Sequence, residues 1–184
     1  MKNESTVKYI LRLTFTLLII CAVVAGILAA VNSITAPIIA ATKEAKTQQA
    51  IAAVLPGGGT KIDFAGADKT GMVTEVYTSD AGYAVKVAPG GFGGAISMMV
   101  GIDNEGKVLG ISIISHAETP GLGAVAAAAT DKGAAFRDQF IGLISGITIG
   151  AGENQIDSLS GATISSQAIV DGVNAALDCV KNLG

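Results

Sequence analysis

The stretch that decides how this chain is interpreted reads Asp157-Ser158-Leu159-Ser160-Gly161-Ala162-Thr163-Ile164-Ser165-Ser166. It contains five hydroxyl side chains, and it places two small residues, Gly161 and Ala162, directly before Thr163. Downstream, apolar residues recur at the spacing of one helix face. They are Ile169, Val173, Ala176, Leu177 and Val180. The pattern predicts a C-terminal helix with Ser165 or Ser166 as its N-cap.

The start of this helix is a candidate anion site. A helix N-terminus offers unpaired backbone N–H groups and the positive end of the helix dipole, which together suit a phosphate. The small residues before Thr163 leave room for a bulky group to reach its hydroxyl. Many helices, however, begin after serine, glycine and threonine for capping alone. Spacing also does not select Thr163 over Ser160, or over the two serines that follow it.

Composition indicates a membrane segment joined to one acidic domain. The chain has 184 residues, is 50% hydrophobic and has a mean hydropathy of +0.56, which is high for a soluble domain. Residues 1–12 carry three basic side chains and one acidic side chain, whereas the remainder carries nine basic and fourteen acidic ones. An acidic body without basic clusters argues against nucleic acid as a partner.

The N-terminal apolar run predicts a membrane anchor. No charged residue occurs between residues 13 and 42, and residues 13–31 alone would form a helix about 29 Å long, enough to cross a bilayer. A cleaved signal peptide is the alternative, but the run exceeds a typical signal core. Lys2, Lys8 and Arg12 lie close to its N-terminal end, so we expect the N-terminus in the cytoplasm and the domain on the extracytoplasmic face.

These features divide the chain into four predicted parts. Residues 1–12 form a cytoplasmic N-terminus, 13–36 a single transmembrane helix, 37–56 a helical stalk and 57–184 the extracytoplasmic domain. Pro37 is expected to kink the start of the stalk. Pro56 and the glycines after it end the stalk and mark the domain boundary.

Alternating apolar residues predict two β-hairpins in that domain. Residues 72–78 and 82–88 form the first, and residues 95–103 and 107–115 form the second. In the second hairpin, one face is expected to hold two sets of side chains: Ile96, Met98, Val100 and Ile102 on the first strand, and Leu109, Ile111 and Ile113 on the second. Residues 124–135 are predicted to be weakly helical, and Phe136 and Phe140 are expected in the core. Residues 144–149 are predicted to form a short strand and residues 150–155 a loop. The predicted fold class is therefore α+β, an antiparallel sheet with flanking helices.

Two loops are candidate parts of a binding site. Residues 89–94 are rich in glycine, which suits either close approach to a ligand or a flexible turn. The stretch His116-Ala117-Glu118-Thr119-Pro120-Gly121-Leu122-Gly123 follows a strand, where binding residues often occur, although a polar connector is an equally simple interpretation. His116 is expected to orient neighbouring backbone, while Glu118 and Thr119 are candidate ligand contacts.

Two motifs together resemble a known family. Asp157-x-x-Ser160-Gly161-Ala162-Thr163-x-Ser165 resembles the flavinylation motif of FMN-binding domains, and the Glu118-Thr119-Pro120-Gly121-Leu122-Gly123 loop resembles their second signature. The resemblance implies covalent FMN, joined through its phosphate to Thr163 as a phosphodiester by a flavin transferase. Asp157 is then either recognised by the flavin transferase or holds the turn before the helix, and the sequence does not separate these two roles. The cofactor contacts that it implies are Ser160, Gly161, Ala162, Ser165, Ser166, Glu118, Thr119, Gly121 and Leu122.

Over most of its length the chain resembles the G subunits of Rnf ion-translocating electron-transport complexes. The resemblance implies an electron-relaying member of a membrane-bound ferredoxin:NAD oxidoreductase that moves Na⁺ or H⁺, with the other subunits of the Rnf complex and the membrane as partners. The C subunit of the sodium-translocating NADH:quinone reductase shares the domain but is usually longer. Two positions depart mildly from the family pattern: Ser165, where threonine is common, and Phe92, where tyrosine is common.

Other classes of function fit the sequence less well. The two cysteines, Cys21 and Cys179, and the single histidine have no metal-ligand spacing, and Cys179 is expected to be a packing residue. A serine hydrolase would require a Gly-x-Ser-x-Gly elbow, and NAD binding a Rossmann fingerprint; neither is present. The remaining alternative is a membrane-anchored binding or structural subunit without redox chemistry.

Overall fold

The computed structural model describes residues 2–150 and 152–183, with the side chains from residue 7 onward. The chain divides into two compact units, Met1–Ala45 and Lys46–Gly184. Helix α1, Lys2–Val54, includes the whole predicted span and the predicted stalk up to Val54, and Pro37 lies inside it without ending it. Its apolar side chains between residues 7 and 39 are exposed on every face, which is the pattern of a helix surrounded by lipid. By length and composition it is a candidate membrane span.

The last turns of α1 belong to the core of the second unit. Ala50, Ile51 and Val54 are buried, together with Leu55, at the spacing of one helix face. They pack against Tyr77, Ala84 and Met99 of the sheet. Close approach depends on Gly101, where an added Cβ would lie 2.2 Å from the Val54 carbonyl oxygen.

A five-stranded antiparallel sheet forms the centre of this unit. Its strands are β1 (Thr60–Ile62), β2 (Val73–Ser79), β3 (Gly82–Val87), β4 (Ser97–Ile102) and β5 (Val108–Ser115), paired in chain order. Both predicted hairpins are confirmed, because β2 pairs with β3 and β4 with β5. Strand β1 was not predicted; its three residues are too few to show a period.

One residue of the second hairpin lies on the opposite face from that predicted. Val108, rather than Leu109, is in the core, and Leu109 is 37% exposed. The cause is a register shift: Ile102 pairs with Val108, but Gly101 pairs with Gly110, so Leu109 is an extra residue in β5. Such a bulge reverses the alternation of side chains on one side of it.

Helix α3, Thr163–Leu183, covers the other face of the sheet. All the apolar positions that predicted its buried face are buried. Gly172 brings the helix close to the sheet, because a Cβ there would lie 2.4 Å from Met98 Cε. Cys179 is also buried on α3; burial raises the pKa of its thiol and the nearby Asp68 carboxylate adds to the effect, as suits a packing residue.

The segment between the sheet and α3 is more broken than predicted. In place of weak helix over residues 124–135, a 3-10 turn at Gly123–Ala127 is followed by helix α2, Asp131–Asp138, whose first turn is capped by Thr130. Phe136 and Phe140 are buried and meet edge to face, with ring centroids 5.7 Å apart. Strands β6 (Thr148–Ile149) and β7 (Gln155–Ile156) form a small parallel pair, so the predicted loop ends in a strand.

Candidate functional site

Helix α3 begins at Thr163, two residues earlier than the predicted N-cap. Ser165 and Ser166 are therefore buried in the first turn and do not cap the helix from outside. Ser166 Oγ accepts a hydrogen bond from the Leu159 N–H at 2.9 Å and donates one to the Ala162 carbonyl at 3.0 Å. This side chain therefore stabilises the turn that leads into the helix, and Ser166 does so from within the first turn of α3.

A buried carboxylate connects three segments of the site. Glu118, 6% exposed, accepts a hydrogen bond from the Gly93 N–H at 2.9 Å through Oε1. Through Oε2 it accepts a short hydrogen bond from the Ser165 hydroxyl. Glu118 thereby holds together three segments: the loop after β5 (residues 116–123), the glycine loop (residues 89–94) and the start of α3. Charge-assisted hydrogen bonds of this kind are stronger than neutral ones.

Glycines permit this close packing. A Cβ on Gly93 would lie 2.1 Å from the Ala117 carbonyl oxygen, and one on Gly91 would lie 2.4 Å from Glu118 Oε1. A Cβ on Gly123 would lie 2.4 Å from Ser165 Oγ. The glycine loop is therefore packed against the loop after β5, which explains why its residues are small.

His116 has a local role. Its side chain is exposed, and its Nδ1 accepts a hydrogen bond from the Glu118 backbone N–H at 3.2 Å. This contact orients the backbone from which Glu118 points into the protein.

The three segments enclose a cavity of about 370 Å³ in front of the start of α3. Its lining residues are Phe92, Glu118, Thr119, Leu122, Gly123, Gly161, Ala162, Thr163, Ile164 and Ser165. Large apolar side chains form its rim: Phe92 is 70% exposed, Ile164 59% and Leu122 43%. Gly161 adopts a φ of +73°, and a Cβ there would lie 3.1 Å from Leu122 Cδ2, so this turn is both left-handed and tightly packed.

Most of the residues expected at the site from the sequence line this cavity. The exceptions are Ser166, which is buried behind it, and Gly121, Ser160 and Asp157, which line a neighbouring depression of about 780 Å³. Leu122 lines both spaces. Two lining side chains, Phe92 and Ile164, were not among the expected residues. Phe92 could have been found as the one large side chain among five glycine or proline neighbours in residues 89–94.

The surroundings of the hydroxyls distinguish Thr163 from the serines. Thr163 is exposed and lines the cavity, and within residues 2–150 and 152–183 its hydroxyl has no hydrogen-bond partner. The first N–H groups of α3 have no intrahelical acceptor, since the first four of any α-helix lack one. The cavity thus combines an available hydroxyl and a helix N-terminus with an apolar rim.

Comparisons with known proteins define the class. The FMN-binding domain family matches residues 91–178, which include every residue lining the cavity, and the RnfG N-terminal region matches residues 1–54. The solved C subunit of a Na⁺-translocating NADH-quinone reductase, from Parabacteroides distasonis, covers 60% of this chain and 61% of its own length, with 23% identity and a TM-score of 0.47. The molecule is an FMN-binding domain preceded by a candidate membrane helix.

Full-length relatives identify the family. The G subunit of the proton-translocating ferredoxin:NAD⁺ oxidoreductase complex of Clostridium ljungdahlii is 32% identical, with 98% of this chain and 96% of the relative covered. The G subunit of the Na⁺-translocating complex of Acetobacterium woodii is also 32% identical, with 96% and 94% covered. The chain belongs to the family of G subunits of ion-translocating ferredoxin:NAD⁺ oxidoreductase (Rnf) complexes. The resemblance to Rnf G subunits is therefore confirmed, and these relatives favour it over the quinone-reductase alternative.

Proposed function

We propose that this chain relays electrons within a membrane-bound ferredoxin:NAD⁺ oxidoreductase complex, through FMN joined covalently to Thr163. The observation that carries the proposal is the exposed, unpaired Thr163 hydroxyl, which opens into a cavity within the FMN-binding domain match. The neighbouring hydroxyls of Ser165 and Ser166 are buried and already hydrogen-bonded. Ser160 is exposed but does not line this cavity.

The residues present fit FMN. A cavity of about 370 Å³ lies within the roughly 300–1,000 Å³ range of small-molecule pockets. Gly161 and Ala162 leave the approach to Thr163 free of bulky side chains. The helix N-terminus favours the single negative charge that a phosphodiester retains, by about 0.3–1 kcal/mol. Phe92, Leu122 and Ile164 would contact the apolar part of the ligand, and Thr119 would supply a polar contact.

Bound FMN supplies one-electron chemistry, and the chain supplies position and surroundings. The Glu118 carboxylate fixes two of the loops around the cavity, and its place in the cavity lining gives the site a negative charge. The apolar rim would contact the flavin and so limit its exposure to water. A covalent link prevents loss of the cofactor from a domain that faces the outside medium.

Formation of the link requires an activated flavin phosphate and a second protein. In the proposed step the Thr163 oxygen attacks the FMN-side phosphorus of a flavin phosphoanhydride such as FAD. The new P–O bond forms as the anhydride P–O bond breaks, AMP leaves, and a base of the flavin transferase takes the hydroxyl proton. No oxidant or reductant is needed. The side chain must be exposed for this reaction, as Thr163 is.

The proposed topology follows from charge. Helix α1 would cross the membrane once, with Lys2, Lys8 and Arg12 at the cytoplasmic end and the FMN-binding domain on the extracytoplasmic face. The other subunits of the complex would be its electron donor and acceptor. Both relatives named above are subunits of ferredoxin:NAD⁺ oxidoreductase complexes, which supports this assignment.

The test is mass spectrometry of the full-length chain produced together with a flavin transferase. The wild-type peptide containing Thr163 is expected to carry the mass of FMN, and the band is expected to fluoresce in a denaturing gel. Thr163→Ala is expected to lose both signals while melting at the temperature of the wild-type chain produced without flavin, because the Thr163 hydroxyl is exposed and unpaired. Ser160→Ala, which removes the other exposed hydroxyl of the motif, is expected to keep them. Covalent flavin on the Thr163→Ala chain would refute the proposal.

A further inference from the structure

The side-chain amide of Gln139 holds the backbone of Asp157. Gln139 Oε1 accepts a hydrogen bond from the Asp157 N–H at 2.7 Å, and Gln139 Nε2 donates to the Asp157 carbonyl at 3.4 Å. Gln139 directly follows α2, 18 residues before Asp157, and is half-buried, whereas Asp157 is exposed. One amide therefore occupies both backbone polar groups of the first residue of the flavinylation motif.

The Asp157 side chain does not contribute a polar contact to the fold. Within residues 2–150 and 152–183 its carboxylate makes no hydrogen bond or ion pair. The turn that leads into α3 is held instead by Ser166, which bonds Leu159 and Ala162. The geometry of this turn therefore does not require the charge of Asp157, so holding the turn and being recognised by a partner are separate roles.

The carboxylate also lies outside the cofactor cavity. Asp157 lines the neighbouring depression of about 780 Å³, together with Gln139, Lys132, Ser158 and Ser160. Leu122 lines both this depression and the cavity that Thr163 lines, whereas Asp157 lines only the depression. The exposed Asp157 carboxylate is therefore accessible to a second molecule that approaches from the side of this depression.

Taking from the family resemblance that the flavin-transferring enzyme recognises the Asp157 carboxylate, we propose that Gln139 is the positioning residue that presents it to that enzyme. The proposal rests on the function proposed above. The partner would offer the carboxylate a cation or a hydrogen-bond donor while it delivers the flavin phosphate to Thr163. Gln139 acts only through Asp157, since its amide bonds the backbone of that residue and leaves the carboxylate free.

The test measures flavin attachment to the full-length chain, purified without flavin in detergent and supplied with transferase and FAD. Gln139→Leu removes both hydrogen bonds to Asp157, and kcat/KM for the chain is expected to fall about tenfold or more, equivalent to about 1.4 kcal/mol, mainly through a higher KM. Gln139→Glu keeps the acceptor but loses the donor, so it is expected to fall between wild type and Gln139→Leu. Asp157→Asn keeps the shape and removes the charge, and it is expected to lower kcat/KM at least as much as Gln139→Leu.

A double-mutant cycle separates positioning from general damage. Once Asp157→Asn has removed the recognised charge, adding Gln139→Leu is expected to change kcat/KM by no more than about twofold, whereas independent effects would multiply. Gln167→Leu is the matched control, because Gln167 lies in the second turn of α3 and, among the residues that the structure describes, its amide bonds only Asp171. Its rate is expected to equal that of wild type.

The outcomes are distinguishable. A wild-type chain that takes up no flavin at Thr163 would refute the proposed function itself. Two results with a labelled wild-type chain would overturn only the role of Gln139. One is Gln139→Leu labelled at the wild-type rate. The other is a double variant whose loss in kcat/KM equals the product of the two single losses. The isosteric Gln139→Glu chain provides the same comparison if Gln139→Leu fails to fold.

Discussion

Replacement of Glu118 tests whether a buried carboxylate holds the site together. In Glu118→Leu the Ser165 hydroxyl, 2% exposed, loses its acceptor, which costs about 1–3 kcal/mol. The Gly93 N–H also loses its acceptor but lies at the surface, so water can replace part of that bond. The expected total is a loss of about 2–4 kcal/mol in the free energy of unfolding.

Glu118→Gln should cost much less. Its Oε1 can still accept from the Gly93 N–H, and its Nε2 can donate to Ser165 Oγ once that hydroxyl turns. The bond to Ser165 then runs in the opposite direction and the charge assistance is lost, which costs about 1 kcal/mol. For a unit of this size about 1 kcal/mol corresponds to about 3–4 °C in Tm. We therefore expect Tm to fall by about 3–4 °C in Glu118→Gln and by about 6–16 °C in Glu118→Leu.

The assay is thermal unfolding of the full-length chain in detergent, without flavin, followed by circular dichroism. Omitting flavin separates the contribution of the hydrogen bonds from that of cofactor binding. Ser165→Ala provides the cycle: if the two side chains act as a pair, Glu118→Leu should cost less in the Ser165→Ala background than in wild type. A Glu118→Leu chain that melts within about 1 °C of wild type would refute the reasoning, because a loss of about 2 kcal/mol could not then have occurred.

Three further predictions concern the flavin potential, the packing of α1 on the sheet and the stability in acid. In the flavin-loaded protein, Glu118→Gln should keep FMN but raise its midpoint potential in a redox titration, since removal of a negative charge favours electron uptake; an unchanged potential would show that this carboxylate does not act on the flavin. Gly101→Ala should lower the melting temperature, because the added Cβ would lie 2.2 Å from the Val54 carbonyl oxygen; Gly110→Ala in β5, where a Cβ meets nothing within 4 Å, is the control. Finally, burial acts to raise the pKa of Glu75, but the Tyr77 hydroxyl and the charges of Lys86 and Lys61 outweigh it, so its pKa lies below the ordinary value. Its stabilising contribution is therefore present above that ordinary value and is lost as the pH falls through the lower folded-state pKa, so an acid titration of stability should be flatter in Glu75→Gln.

The predicted elements that proved accurate are those with a long, regular period. The uncharged run after residue 12 predicted α1, alternation predicted the two hairpins, and the apolar stripe after Thr163 predicted α3. Prediction failed where regularity breaks locally. The bulge at Leu109 reverses alternation, and the true start of α3 is two residues before the serines that resemble caps.

The stalk illustrates a different limit. Residues 46–54 of α1 bury one helix face, yet the sequence predicted them only as part of a helical stalk. What makes that face a core element is Gly101, which lies far along the chain and lets the helix backbone approach the sheet. No local pattern contains both partners of such a contact.

By itself the sequence determined the class of this protein: a lipid-compatible helix, an α+β domain and two motifs whose residues match a family. Periods and motifs are patterns of residues that lie close together in the sequence, so the sequence alone reveals them. Only the tertiary structure decided that the two motifs meet across one buried carboxylate, since Glu118 and Ser165 are 47 residues apart. It also decided that Thr163 is the motif hydroxyl left free in the cavity and that Asp157 is held by its backbone with its charge exposed. The packing of the sheet and helices determines which of these side chains come within hydrogen-bond distance of a partner. Residues far apart in the sequence meet only in the folded chain.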